Sequence, residues 1–145
     1  MGFLKKTNFA ILLFGILGLL DAGYLSWSKL VNTSVVCGPG MGDCGSVNSS
    51  VYSELYGIPV AYLGFLSYLL ITALAFITLQ RKTELPWNNY ILLGTTLVGV
   101  LFSAYLTYIE LAVLYAICMY CVISAVIMLI LFVLSLYKTI KLLNN

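Results

Sequence analysis

Four cysteines form two pairs in this chain of 145 residues, and their spacing suits chemistry. Cys37 and Cys44 flank a glycine-rich stretch, whereas Cys118 and Cys121 form a CxxC motif. Each pair is close enough in sequence for a disulfide, and the chain has no histidine to complete the commoner zinc sites. The alternative is that the thiols are inert and buried. The spacing favours thiol and disulfide exchange, with no metal site.

The CxxC pair falls at the start of the last predicted helix, on one face. Two thiols three residues apart can close a disulfide across one helical turn. A helix N-terminus also offers free N–H groups and the positive end of the dipole, which stabilise a thiolate. Alone, the motif is as consistent with coincidence as with redox function. A second pair on the same side strengthens the redox interpretation.

Two cysteine pairs that meet can pass electrons by thiol exchange, because a thiolate attacks a disulfide through a mixed intermediate. Three glycines and a proline lie between Cys37 and Cys44, a composition typical of a mobile turn. The loop pair can reach a soluble protein. The CxxC, at hydrocarbon depth, can reach a lipophilic electron acceptor, and quinones fit that role.

The elements that position these cysteines are four apolar segments of about 20 residues, the length that crosses a bilayer. They cover residues 9–27, 60–79, 90–109 and 118–137. Each segment must be helical in lipid, because a helix satisfies its own backbone polar groups. With 62% apolar and 8% charged residues, the chain is predicted to be an all-α integral membrane protein. We expect a single domain over residues 1–145, folded as a four-helix bundle.

The long connection between the first two membrane helices, residues 30–58, is predicted to cap the bundle mouth. Residues 51–57 are expected to form a short helix, with Ser49 or Ser50 as N-cap and Gly57 at its end. A loop and short helix of this kind would act as a lid.

Other residues in the apolar segments allow two readings each. Gly15 and Gly18 could let helices approach closely, although ordinary membrane-helix glycines are the favoured reading. Asp21 could donate a proton to a quinone or make a hydrogen bond between helices. Glu110 is expected at the membrane interface.

The positive charges predict the orientation. By the positive-inside rule, the end that carries them, and both termini, face the cytoplasm, and both cysteine pairs face the extracytoplasmic side. The first segment is too long for a cleaved signal and is expected to stay as an anchor. A net charge of +2 does not indicate nucleic-acid binding. The charges used are Lys5, Lys6, Arg81, Lys82, Lys138 and Lys141.

An ordered set of motifs resembles the vitamin K epoxide reductase family, most closely its prokaryotic members. The set comprises the loop cysteines, Cys44-Gly-Ser-Val-Asn-Ser-Ser, Tyr56-Gly-Ile-Pro-Val-Ala-Tyr-Leu-Gly and Cys118-Met-Tyr-Cys121. The resemblance extends over essentially the whole chain. It implies a four-helix bundle around a quinone, ubiquinone or menaquinone, with the CxxC beside the ring.

The resemblance also implies roles for single residues. Cys37 would exchange with a thioredoxin-fold, DsbA-like protein, and Cys44 would pass electrons to Cys118. Cys121 would then reduce the quinone. Ser50, six positions beyond Cys44, matches a family serine that supports the active-site cysteine or the quinone, with a helix cap as the alternative reading.

Two departures from the family pattern limit what is carried over. Vertebrate members have an asparagine near the start of the second helix and a tyrosine one turn past the CxxC, both near the quinone oxygens. The matching positions here are Val60 and Ala125, so vitamin K epoxide reduction is not expected. Many prokaryotic members carry a fused thioredoxin-like domain, for which the chain has no room before Asn145. The partner is therefore expected to be a separate protein.

These observations predict an oxidoreductase that re-oxidises a disulfide-forming protein and reduces a membrane quinone. The DsbB-type quinone reductases are the enzymatic alternative, with similar chemistry on four helices and two cysteine pairs. In those enzymes the CxxC lies near the outer end of the second helix and the second cysteine pair lies in the later loop. This order is the reverse of the order in the present chain. A non-enzymatic alternative is a thiolate carrier of soft metals such as mercury or copper(I), which would not need the serine and Gly-Ile-Pro elements.

Overall fold

The computed structural model describes residues 2–40, 42–81 and 83–145. Within these ranges, four helices are long and apolar enough to cross a membrane, so the chain is a multi-pass membrane protein with a helical bundle. This confirms the predicted fold class. In chain order the helices are α1 (Gly2–Leu30), α2 (Cys44–Ser49), α3 (Val60–Arg81), α4 (Pro86–Ile109) and α5 (Met119–Leu143).

The membrane helices are longer than the apolar segments that predicted them. Helix α1 has 29 residues and α5 has 25. Hydropathy marks only the part in hydrocarbon, whereas the backbone hydrogen bonds continue into the polar flanks. Helix α4 begins at Pro86, which needs no hydrogen bond from its nitrogen at a first helical position.

Helix α1 packs closely against α3 because two glycines lie at the contact. A Cβ at Gly18 would overlap the ring of Tyr68, and one at Gly15 would lie 2.7 Å from the Thr72 hydroxyl oxygen. The reading of these glycines as ordinary membrane-helix residues was therefore wrong. Helix α4 packs against α5, whereas α3 and α4 make far fewer contacts with each other. The bundle is tight on one side and open between α3 and α4.

The end of the bundle that holds both termini, here named the terminal end, is closed by a buried ion pair. The Glu84 carboxylate lies 2.8 Å from Nζ of Lys138 and accepts a hydrogen bond of 2.7 Å from the Asn8 amide. These contacts tie α1, the α3–α4 connection and α5 together. Lys82, one of the charges behind the predicted orientation, lies outside the described residues.

The opposite end, here named the cysteine end, is covered by residues 44–59, which we name the lid. The lid begins with α2, whose N-cap is Asp43. The Asp43 carboxylate accepts hydrogen bonds from the Ser46 hydroxyl at 2.6 Å and the Ser46 backbone N–H at 3.1 Å. These two bonds lower the pKa of Asp43. The cap therefore fixes the helix start at Cys44.

A helix was predicted over residues 51–57 of the lid, and that prediction was wrong. A single 3₁₀ turn, Val51–Ser53, is followed by strands β1 (Glu54–Leu55) and β2 (Ile58–Pro59), which pair antiparallel. Tyr56 and Gly57 form the two-residue turn between them, with φ of 52° and 81°. Gly57 thus serves a hairpin rather than a helix end.

Lys29, in the last turn of α1, holds the lid on the bundle. Its Nζ donates to the Asn48 carbonyl oxygen at 2.6 Å and to the Ser53 hydroxyl at 2.9 Å. The Glu54 carboxylate lies 3.7 Å from the same nitrogen. One largely buried ammonium therefore joins three parts of the lid to α1.

We predict that Lys29→Met loosens the lid. Hydrogen bonds from a charged group contribute about 1.5–3 kcal/mol, so local opening should rise by roughly tenfold or more. Amide hydrogen exchange at Val47 and Ser50 measures this opening. Lys6→Met, at an exposed lysine of the same helix, is the control and should not change the rate. Equal exchange in both variants would show that Lys29 does not hold the lid.

Candidate active site

The CxxC pair lies at the start of α5, where the sequence placed it. Cys118 is the N-cap, and its sulfur accepts a hydrogen bond of 3.4 Å from the backbone N–H of Cys121. Both thiols are free; Cys118 is fully buried and Cys121 is half-buried. The hydrogen bond from the Cys121 backbone N–H and the positive end of the α5 dipole both stabilise negative charge on the Cys118 sulfur. The arrangement favours a thiolate at Cys118.

The loop cysteines are joined as a disulfide, with Cα atoms 5.7 Å apart. Cys44 is buried at the start of α2, whereas Cys37 is half-buried in the loop that precedes it. Gly40 and Gly42 have φ of 76° and 99°, which allows the tight return of the chain between the two cysteines. The more accessible sulfur is therefore that of Cys37.

A short backbone contact brings the two cysteine pairs together. Gly42 forms an isolated antiparallel bridge with Cys118, and the Asp43 N–H donates to the Ile117 carbonyl oxygen at 2.9 Å. A Cβ at Gly42 would overlap that oxygen, so only glycine allows the contact. Cys44 and Cys118 consequently belong to one buried apolar cluster.

A cavity of about 470 Å³ lies between α3 and α4, under the lid. Its volume is within the range of small-molecule sites. Most of its wall is apolar, with contributions from Leu63 on α3 and from Phe102 and Leu106 on α4. Cys121 reaches this wall. The CxxC pair therefore presents one thiol to the cavity and the other to the lid.

Of the residues predicted to bind a cofactor, Ser50 and Val60 line the cavity and Ala125 does not. Helix geometry explains the difference. Cys121, Ser124 and Met128 line the cavity from one face of α5, whereas Ala125, one turn beyond Cys121, lies on the other side of Cys121 from Ser124 and at the edge of that face. The hydroxyl of Ser50 donates to the Val47 carbonyl oxygen at 2.8 Å and makes no N-cap bond.

Sequence reasoning missed a polar pair on the cavity wall. The Tyr68 hydroxyl lies 2.7 Å from the Ser124 carbonyl oxygen, to which it donates, and 2.9 Å from the Ser124 hydroxyl. Both residues line the cavity and link α3 to α5. Their signal in the sequence was their polarity inside apolar segments. Asp21 does not line the cavity, and its Oδ2 is buried without a hydrogen-bond partner among the described residues.

Glu110 lies at the end of α4, at the cysteine end of the bundle, and its position at the membrane interface stays a prediction. Its side chain is 4% exposed and lines the cavity. One carboxylate oxygen accepts a hydrogen bond of 3.2 Å from the backbone N–H of Cys118. The end of α4 thus brings a carboxylate to the CxxC pair.

Comparison with known proteins agrees with this geometry. The family model of the Vitamin K epoxide reductase family matches residues 9–136, which include both cysteine pairs. Over 131 residues, the chain is 34% identical to the Thiol-disulfide oxidoreductase LTO1 of Arabidopsis thaliana. The match covers 86% of this chain and 34% of that protein, so the chain spans about a third of its relative's length. The chain belongs to the vitamin K epoxide reductase family.

Proposed function

We propose that the protein is a quinone-dependent thiol–disulfide oxidoreductase that supports disulfide-bond formation. It would re-oxidise a separate thioredoxin-fold, DsbA-like protein and reduce a membrane quinone. Family membership and the named activity of the relative support thiol–disulfide redox chemistry. One observation carries the quinone part: Cys121 lies on the wall of the largely apolar cavity between α3 and α4.

The residues around the cavity fit a quinone. When bound, ubiquinone or menaquinone supplies an acceptor of two electrons and two protons. The apolar wall would hold the quinone ring. The two carbonyl oxygens of the quinone need hydrogen-bond partners. Ser50 on the lid and Tyr68 with Ser124 deeper in the bundle carry hydroxyl groups at two separate parts of the wall. To donate to a quinone oxygen, the hydroxyls of Ser50 and Tyr68 would have to turn from the backbone carbonyl oxygens of Val47 and Ser124.

The burial of the four cysteines supports a direction for the electrons. Half-buried Cys37 would exchange with the partner protein, and buried Cys44 would exchange with Cys118. Each exchange breaks one disulfide and forms another, so two electrons move inward at each step. Cys121 would pass them to the quinone while the Cys118–Cys121 disulfide forms.

The orientation belongs to the same proposal. Positive residues of the terminal end would face the cytoplasm, and the cysteine end would face the extracytoplasmic side. There the loop disulfide would meet an oxidising environment and its partner. We propose that residues 1–145 act as one membrane domain in this role.

We predict that the purified protein reduces a quinone when supplied with a reduced DsbA-like protein. Cys118→Ser and Cys121→Ser should each abolish turnover, measured as loss of quinone absorbance. Cys37→Ser should abolish turnover with the protein donor yet retain slow turnover with a small dithiol that enters through Cys44 or the CxxC. Quinone reduction by Cys121→Ser at the wild-type rate would contradict the assignment.

We also predict that Cys44→Ser traps a mixed disulfide between Cys37 and the partner. Cys44 lies at the other end of the flexible glycine-rich turn and is placed to resolve that intermediate. Non-reducing gels of cells that hold both proteins measure the adduct, and Cys37→Ser is the matched control, which should form none. An adduct that depends on Cys44 instead of Cys37 would reverse the order of the relay.

A further inference from the structure

The end of α4 contains a π-helical turn at Glu110–Leu114. Such turns place an extra residue into a helix and are frequent at functional sites. Tyr115 follows in the left-handed region, with φ of 50°, and its N–H donates to the Glu110 carbonyl oxygen, as does the N–H of Ala116 at 3.1 Å. The turn ends the helix and directs the Glu110 side chain toward the start of α5.

The Glu110 carboxylate has an unusual set of neighbours. It accepts a hydrogen bond from the Cys118 N–H and lies on the wall of the same cavity as the Cys121 side chain. Besides Cys121, the other titratable groups on the cavity wall are Tyr52 of the lid and Tyr68 of α3, whose hydroxyl donates to the Ser124 carbonyl oxygen. Within the described ranges, no lysine or arginine lies within ion-pair distance of Glu110. Its proton chemistry is therefore set by the two thiols and the cavity.

A purely structural role would not require a carboxylate at this position. A glutamine oxygen could accept the same hydrogen bond from Cys118. An ionisable group buried in a membrane helix is costly to keep, and such groups commonly move protons or bind ligands. Glu110 accepts a hydrogen bond from the backbone of one CxxC cysteine and shares the cavity wall with the thiol of the other, and that cavity would hold the proton acceptor.

We propose that Glu110 is the catalytic group that carries a proton from the Cys121 thiol to the quinone. This inference rests on the proposed function. In the full reaction, the dithiol loses two electrons and two protons as the Cys118–Cys121 bond forms, and the quinone gains both to become quinol. The Glu110 carboxylate takes the Cys121 proton and gives it to a quinone oxygen, so it returns to its starting state. The Cys118 thiol releases its proton to water at the cysteine end, and that water supplies the second proton.

The first test needs no quinone. In a Cys118→Ser background, Cys121 is the free thiol beside the intact Cys37–Cys44 disulfide, and its alkylation by a small maleimide reports the thiolate. With Glu110 present, transfer of the Cys121 proton to the carboxylate should give the alkylation rate a component that does not depend on pH. With Glu110→Gln, the proton must leave to water, so the rate should fall by about tenfold for each pH unit on acidification. Glu110→Asp should retain the pH-independent component.

The second test compares turnover in proteins that keep all four cysteines. Glu110→Gln should lower quinone reduction by about 100-fold or more, the scale of general acid–base catalysis. The variant should exchange thiols between its Cys37–Cys44 disulfide and a reduced DsbA-like protein at the wild-type rate. An unchanged exchange rate also shows that the variant folds. Glu54→Gln, at an exposed carboxylate of the lid, is the matched control and should keep wild-type turnover.

The outcomes separate this inference from the proposed function. A wild-type protein that reduces no quinone would reject the proposed function, whereas the alkylation profile would still report on Glu110. An active wild type with the same pH profile and turnover in Glu110→Gln would overturn the proton-carrier role. Loss of quinone reduction together with loss of the pH-independent alkylation would support it.

Discussion

The backbone contact between the loop and the start of α5 is the constraint on which the site depends. The bridge from Gly42 to Cys118 and the bond from Asp43 to Ile117 fix where α2 can begin. Because Cys44 is the first residue of α2, the same contact places its sulfur in the cluster that holds Cys118. The proposed disulfide relay requires sulfurs that can meet, and main-chain hydrogen bonds hold Cys44 and Cys118 in one buried cluster.

The unequal packing of the helices creates the space beside that contact. Glycines on α1 let α3 approach closely, and polar contacts such as that of Thr96 with Ser135, at 3.0 Å, hold α4 to α5. Between α3 and α4 the packing is loose, and the cavity occupies this gap. The lid closes its cysteine end, held by Lys29. Rigid pairs of helices thus keep open a chamber that a single close-packed bundle would fill.

Much of the fold could be predicted from the sequence. The thickness of the bilayer sets the length of each membrane segment, and the need to hydrogen-bond every backbone polar group in lipid requires a helix. The CxxC at a helix start and the glycine-rich loop followed from spacing alone. The lid was harder to predict, since Asp43, Ser49 and Ser50 all compete as helix caps and only tertiary contact decides among them. The burial of Glu110 beside the cysteines could not be predicted, because hydropathy marks only a helix end, whereas the π-helical turn there directs the side chain.

The rotation of each helix about its own axis decides which residues line the cavity. The amino-acid composition does not determine this rotation. Ser124 and Ala125 both neighbour Cys121 on the surface of α5, yet only Ser124 lines the cavity. Tyr68 likewise became visible as a site residue through its hydrogen bonds to Ser124 across α3 and α5. Family resemblance located the chemistry at the cysteines, and the structure supplied the polar groups around them.

The proposed function requires that a quinone bind in the cavity beside Cys121. Photo-crosslinking of the purified protein with an azido-substituted quinone, followed by mass spectrometry of the labelled peptides, tests it most directly. We expect labels on cavity residues of α3 and α4, such as Leu63 and Phe102, and loss of these labels when excess unlabelled quinone competes. Labels confined to the lipid-facing surface of the helices, and unaffected by the competitor, would contradict it.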